Sequence, residues 1–145
     1  MSASTGPKQT TATVISNLRY RDCAGAVAWL TEAFGFETRA VHQDGSGRVV
    51  HAELTFGNGM IMIGPVSETP FSKYMAQPDE VGGRETQCIY AIVENPDAHC
   101  ARAQARGAKI ISAPEDKPYG GRDYGCQDLE GHLWWFGTYD PWTAK

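Results

Sequence analysis

The sequence predicts an α+β fold: two tandem βαβββ units that form a curved mixed sheet around a concave pocket, with helices on the outer face. Three observations lead there. The chain closes on a strand, a tight turn and an aromatic strand over residues 123–138, with Asp128-Leu129-Glu130-Gly131 as the turn. The same plan stands at residues 51–64, HAELTFGNGMIMIG, where Gly57-Asn58-Gly59 joins two strands. Finally, Asp22, Ala26, Gly35 and Gly59 recur 72 residues later as Glu94, Ala98, Gly107 and Gly131. Each pair has one role: helix start, helix face, helix stop, hairpin turn. A fixed offset of this kind marks a repeated structural unit. Each half is too short to bury a core well alone, so the two must share one.

Taken in order, residues 1–12 read as a flexible tail without the apolar segment of a secretion signal. The first unit covers 13–64. Val14 to Tyr20 is a strand, and Asp22 caps a helix over Cys23 to Phe34. Ala26, Val27, Leu30, Ala33 and Phe34 recur at helical spacing, and Gly35 ends the helix. Strands follow at 36–43, 48–56 and 60–64. Residues 65–84 form a linker punctuated by Pro65, Pro70, Pro78 and Gly82-Gly83, with a short helix at 72–76. The second unit covers 85–139. It has a strand at 87–93, a helix at 98–106 opened by Asn95-Pro96-Asp97, a strand at 109–113, a loop at 114–121 and the closing hairpin. Residues 140–145 are a C-terminal tail.

Composition bounds the function. The 145 residues carry a net charge of −4 without a basic run, which argues against nucleic acid or an anionic membrane as partner. No apolar run reaches the roughly 18 residues of a membrane span. The four cysteines, Cys23, Cys88, Cys100 and Cys126, form no CxxC pair and match no zinc spacing. Free thiols in a reducing cytoplasm are the expectation. No nucleophile elbow, zinc-protease, phosphate-loop or dinucleotide fingerprint is present.

A repeated βαβββ unit with these turns resembles the vicinal oxygen chelate superfamily: glyoxalases, extradiol dioxygenases, fosfomycin-modifying enzymes and bleomycin-binding resistance proteins. The resemblance covers residues 13–139. It is carried by WLTEAFGF (29–36), HAELTFGNGMIMIG (51–64) and DLEGHLWWF (128–136). It implies a homodimer in which both chains complete each pocket. In the enzymes it implies a divalent metal held by His or Gln on the first strand of each unit and Glu on the last. Carried over one at a time, the ligand positions fall on Ile15 or Ser16, on Met62 or Ile63, on Cys88 beside Gln87, and on Trp135 or Trp134. These are not the imidazole and carboxylate donors such metals take. No cofactor is therefore expected, and a metal held by His51, Glu53 and Gln87 is the alternative.

The candidate ligand contacts follow from strand alternation. Asn17 and Arg19 share a face, with Arg19 able to bind an anion through its fork of donors. Cys88 and Tyr90 share a face of their strand. Met62 and Trp135 add a thioether and an indole, which suit a flat aromatic ligand. In the loop before the closing hairpin, Tyr119, Arg122 and Tyr124 flank a mobile Gly120-Gly121. His51 and Glu53, two apart on a strand, are the candidates for proton transfer, with a structural ion pair as the plainer role. His132 belongs to the hairpin turn, while His42 and His99 read as surface residues. The expected function is metal-free binding of a small planar or aromatic molecule. A glyoxalase-like lyase, isomerase or dioxygenase is the alternative, and a purely structural module with a filled cavity the third.

Overall fold

The computed structural model describes residue 6 and residues 9–143; positions 1–5, 7 and 8 of the expected N-terminal tail, and 144–145 of the C-terminal one, lie outside the described residues. The first unit runs β1 (Ser16–Tyr20), α1 (Cys23–Trp29), β2 (Glu37–Gln43), β3 (Val49–Phe56) and β4 (Gly59–Pro65). The second runs β5 (Ile89–Ile92), α2 (Pro96–Ala105), β6 (Lys109–Asp116), β7 (Arg122–Gln127) and β8 (Leu133–Gly137). The α+β class and the tandem units stand as the sequence predicts. Where one curved sheet was expected, the strands are hydrogen-bonded as two four-stranded sheets of matching order, β1-β4-β3-β2 and β5-β8-β7-β6. In each, the first strand lies parallel to the last, and the other pairs are antiparallel.

Local chemistry sets the helix ends. The Asp22 carboxylate accepts the Gly25 N–H at 2.9 Å, and the Asn95 side chain accepts that of Ala98 at 3.0 Å. The second helix thus takes its cap from Asn95, one residue beyond the Glu94 that the repeat suggests. The last turn of the first helix widens into a π-helix, Leu30–Phe34, and stops at Gly35, whose φ of 88° requires glycine.

Strand alternation then divides each sheet into two faces. Leu18, Ala52, Leu54, Ile61 and Ile63 face the helices in the first unit; Tyr124, Cys126, Trp134 and Phe136 do so in the second. These faces merge into one core. Phe34 joins them, its ring 4.7 Å from Phe136 and 5.1 Å from Trp134. Each such fully buried aromatic contributes about 1.5–3 kcal/mol.

Two histidines clasp the units in opposite protonation states. His99 on α2 is packed against Phe136 rather than lying on the surface as expected. Its Nε2 donates to the Phe34 carbonyl at 2.8 Å, so its Nδ1 is free to accept from the Tyr124 hydroxyl. That pattern fits a neutral ring, and burial holds its pKa below the ordinary value. His132 faces two acceptors, the Arg19 carbonyl at 2.8 Å and the Glu85 carboxylate at 3.0 Å, so both ring nitrogens donate. Burial opposes the charge, but Glu85, Asp128 and the Arg19 carbonyl outweigh it and raise the pKa. Beside it, buried Asp128 accepts the Tyr20 hydroxyl at 2.6 Å, the Trp134 indole at 3.0 Å and two N–H groups of its own turn. Burial raises the Asp128 pKa despite these donors.

Candidate functional site

With helices over one face of each sheet, the other face stays open. In the first unit it carries Asn17 and Arg19 of β1, Met60 and Met62 of β4, and His51 and Glu53 of β3. Register aligns Asn17, Met62 and Glu53 in one row across the three strands. In the second unit the matching row is Tyr90, Trp135 and Gly125. Gly125 is what lets Trp135 lie flat. A Cβ there would stand 2.5 Å from the indole, so the ring occupies the space that a side chain would fill. Gly137, the next open-face position on β8, clears the space beside the Tyr90 hydroxyl and Asp123. The Tyr90 hydroxyl donates to the Tyr139 carbonyl at 2.8 Å. An indole and a phenol thus share a floor with a glycine on either side.

Between the edge strands β1 and β5, under the linker, runs a cleft of about 760 Å³. It takes Asn17 and Arg19 from one edge and Gln87 and Cys88 from the other. The linker contributes Phe71 and Tyr74, which are 53% and 74% exposed. These two aromatics were missed from the sequence. The available signal was a pair of rings three residues apart in a proline-bounded loop. Arg19 is buried, with 9% of its surface exposed, and donates to the Ser67 carbonyl at 2.9 Å.

Of the candidate contacts, the structure brings Asn17, Arg19 and Cys88 together in the cleft. Met62, Tyr90 and Trp135 lie on the open faces. The three loop candidates do not join them. Tyr124 is fully buried on the helix side, because β7 turns it toward His99. Arg122 is held by the Asp97 carboxylate through two bonds of 2.8 and 2.9 Å and by Asp116, so its fork is already filled. Tyr119 is 65% exposed and points its hydroxyl at Asp123, 3.3 Å away.

His51 and Glu53 do meet, with Nε2 3.1 Å from the carboxylate, and His42 lies across from His51 at a ring distance of 5.6 Å. Gln87 lines the cleft, and neither His51 nor Glu53 does. Among the described residues no group of three or more His, Cys, Asp or Glu side chains is placed to hold a metal ion.

Residues 11–136 match the model of the Glyoxalase/Bleomycin resistance protein/Dioxygenase superfamily. TioX from Micromonospora sp. ML1 is 35% identical over 87% of this chain and 97% of its own, with a TM-score of 0.64. The fosfomycin resistance protein FosX from Listeria monocytogenes shares the fold at 15% identity and a TM-score of 0.63, covering 90% of this chain and 94% of that one. A superfamily member from Sphaerobacter thermophilus DSM 20745 does so at 17% and 0.64, covering 86% and 94%. A comparison with curated protein sequences finds no match. The chain belongs to the glyoxalase, bleomycin resistance and dioxygenase superfamily.

The metal that enzymes of this fold use needs donors on the open face of the first and last strands of each unit. The rows across those strands hold Asn17 and Met62, flanked by Arg19 and Met60, in one unit and Tyr90 and Trp135 in the other. An amide, a thioether, a phenol and an indole do not make the imidazole and carboxylate set of a divalent catalytic site. The residues do not fit the metal, and no step is derived through one. Among the described residues no helix is long and apolar enough to cross a membrane.

Proposed function

We propose that this protein binds a small planar or aromatic organic molecule on the open faces and in the adjoining cleft, and acts by holding it rather than through a family metal. The observation that carries this reading is the Trp135 indole laid flat over Gly125 beside Tyr90. The Trp135 side chain is partly exposed, and an indole stacks on a planar ligand. Met62 and the exposed rings of Phe71 and Tyr74 extend the same apolar, adaptable surface.

A second copy of the chain covers the open faces in this reading, so the working unit is a homodimer. Sequestration of a toxic compound is the biological use this reading favours, in keeping with the bleomycin resistance proteins named in the family description. The free cysteines, of which Cys88 is exposed, suit a reducing cytoplasm.

The test is a melting and tryptophan-fluorescence screen against planar natural products and antibiotics. A ligand at a hundred times its Kd stabilises by about 2.7 kcal/mol, which corresponds to a rise of roughly 5–10 °C. A broad panel that neither quenches tryptophan nor moves the melting point overturns the reading.

The His51–Glu53 contact favours a second reading, metal-free acid–base catalysis on the first unit's open face. Turnover of a bound compound that disappears in both His51→Gln and Glu53→Gln would establish it.

A further inference from the structure

Arg19 is a permanent cation in an unusual place. Its side chain is nine-tenths buried, and it lines the cleft between β1 and β5. Its guanidinium has five N–H donors, and the one hydrogen bond it makes goes to the neutral Ser67 carbonyl at 2.9 Å. Among the described residues no carboxylate lies within ion-pair distance of it. The nearby acids are engaged elsewhere: Glu85 by His132 and the Leu133 N–H, Asp79 by Arg21, Glu130 by the N–H groups of residues 21 and 22. Burying an unpaired charge is costly, and a counter-charge brought by a ligand would offset that cost.

The rest of the lining says what brings that charge. Glu85 is the one carboxylate among the lining residues and is taken up by His132, and exposed Arg84 adds a further cation. Phe71, Tyr74 and Met75 offer an apolar, aromatic roof. We infer that the cleft recognises an aromatic carboxylate, its planar carboxyl paired with the Arg19 fork and its ring against the linker aromatics. A carboxylate rather than a phosphate dianion matches one buried guanidinium, because the pairing is planar, bidentate and one-to-one in charge. This rests on the planar-ligand reading above and adds the anionic group that orients the ligand.

The experiment compares 2-naphthoate with 2-naphthamide by calorimetric titration of the full chain at low and moderate salt. The two probes share shape and ring and differ in charge. The expected result is a preference for the acid on the order of tenfold or more. That preference should vanish in Arg19→Gln and survive in Arg84→Gln. The comparison on the unaltered protein needs no variant, so misfolding of Arg19→Gln would not decide the matter.

Equal affinity for the two probes would overturn the Arg19 assignment while leaving the planar-ligand reading intact. So would an acid preference that persists in Arg19→Gln. Equal affinity together with dissociation of a dimer in Arg19→Gln would make Arg19 an interface residue instead. Binding of neither probe would count against both readings.

Discussion

Alanine at Gly125 tests the aromatic floor directly. Glycine inside a strand usually destabilises by about 0.5–1 kcal/mol relative to alanine, so the bare expectation for Gly125→Ala is a gain. The backbone does not forbid the change, since Gly125 is not among the positive-φ glycines. The obstacle is Trp135, with Cζ2 at 2.5 Å and Cε2 and Cη2 at 2.6 Å from the added Cβ. Ordinary carbon contacts lie at about 3.5–4.0 Å, so the indole must move by roughly 1 Å. Overpacking of this size costs about 1–3 kcal/mol, leaving a net loss centred on about 1 kcal/mol, and up to about 2.5 kcal/mol, after the glycine gain. For a chain of this size a loss of about 1 kcal/mol lowers the melting temperature by roughly 2–4 °C.

The assay is thermal unfolding by circular dichroism, paired with titration of a planar probe read by tryptophan fluorescence. Both stability and affinity should fall. In a Trp135→Leu background the same alanine should turn neutral or stabilising, a coupling visible in a double-mutant cycle. If Gly125→Ala alone is as stable as the parent, the indole does not lie over Gly125 and the floor does not exist.

Other perturbations reach the clasp between units. Asp128→Ala leaves the Tyr20 hydroxyl, the Trp134 indole N–H and two turn N–H groups without their acceptor. A loss on the order of 4 kcal/mol is expected in urea unfolding, and a loss below about 1 kcal/mol would show that water replaces the carboxylate. The two histidines should give stability opposite pH slopes. His132 has a raised pKa, so its contribution is complete below about 6.5 and fades as pH rises through the folded value. His99 has a lowered pKa, so its contribution is complete above about 6.5 and fades as pH falls toward the folded value. Urea midpoints across pH 5–9 should lose the alkaline decline in His132→Gln and part of the acid decline in His99→Gln. Unchanged profiles would contradict the protonation states assigned from their acceptors.

Much of the fold was legible because its punctuation is local. Asp22, Gly35 and the Gly57-Asn58-Gly59 turn act through their own backbone, and the repeat offset located their counterparts. Strand alternation told which residues share a face of their own strand, and the family resemblance suggested which of those faces, with Met62, Tyr90 and Trp135, is the open one. What stayed hidden depends on distant partners. His99 looked like a surface residue because neither the Phe34 carbonyl, 65 residues away, nor Tyr124 is adjacent in sequence. Tyr124 and Arg122 looked like ligand contacts because their partners, His99 and Asp97, lie 25 residues away on α2. The π-helical turn leaves no periodicity signature over five residues, and the linker aromatics carry no register. The unpaired state of Arg19 is visible only in the folded chain, where its one hydrogen bond goes to the Ser67 carbonyl, 48 residues away.

The central claim is that this member holds its ligand without the metal site of its enzymatic relatives. Elemental mass spectrometry on protein purified without a histidine tag, with melting recorded before and after a chelator, tests that most directly. The account predicts well under one divalent ion per chain and an unchanged melting temperature, with planar probes still bound after chelation. About one Zn, Ni, Fe or Mn per chain, together with stability and probe binding lost to the chelator, would contradict it and make His51, Glu53 and Gln87 the first ligands to substitute.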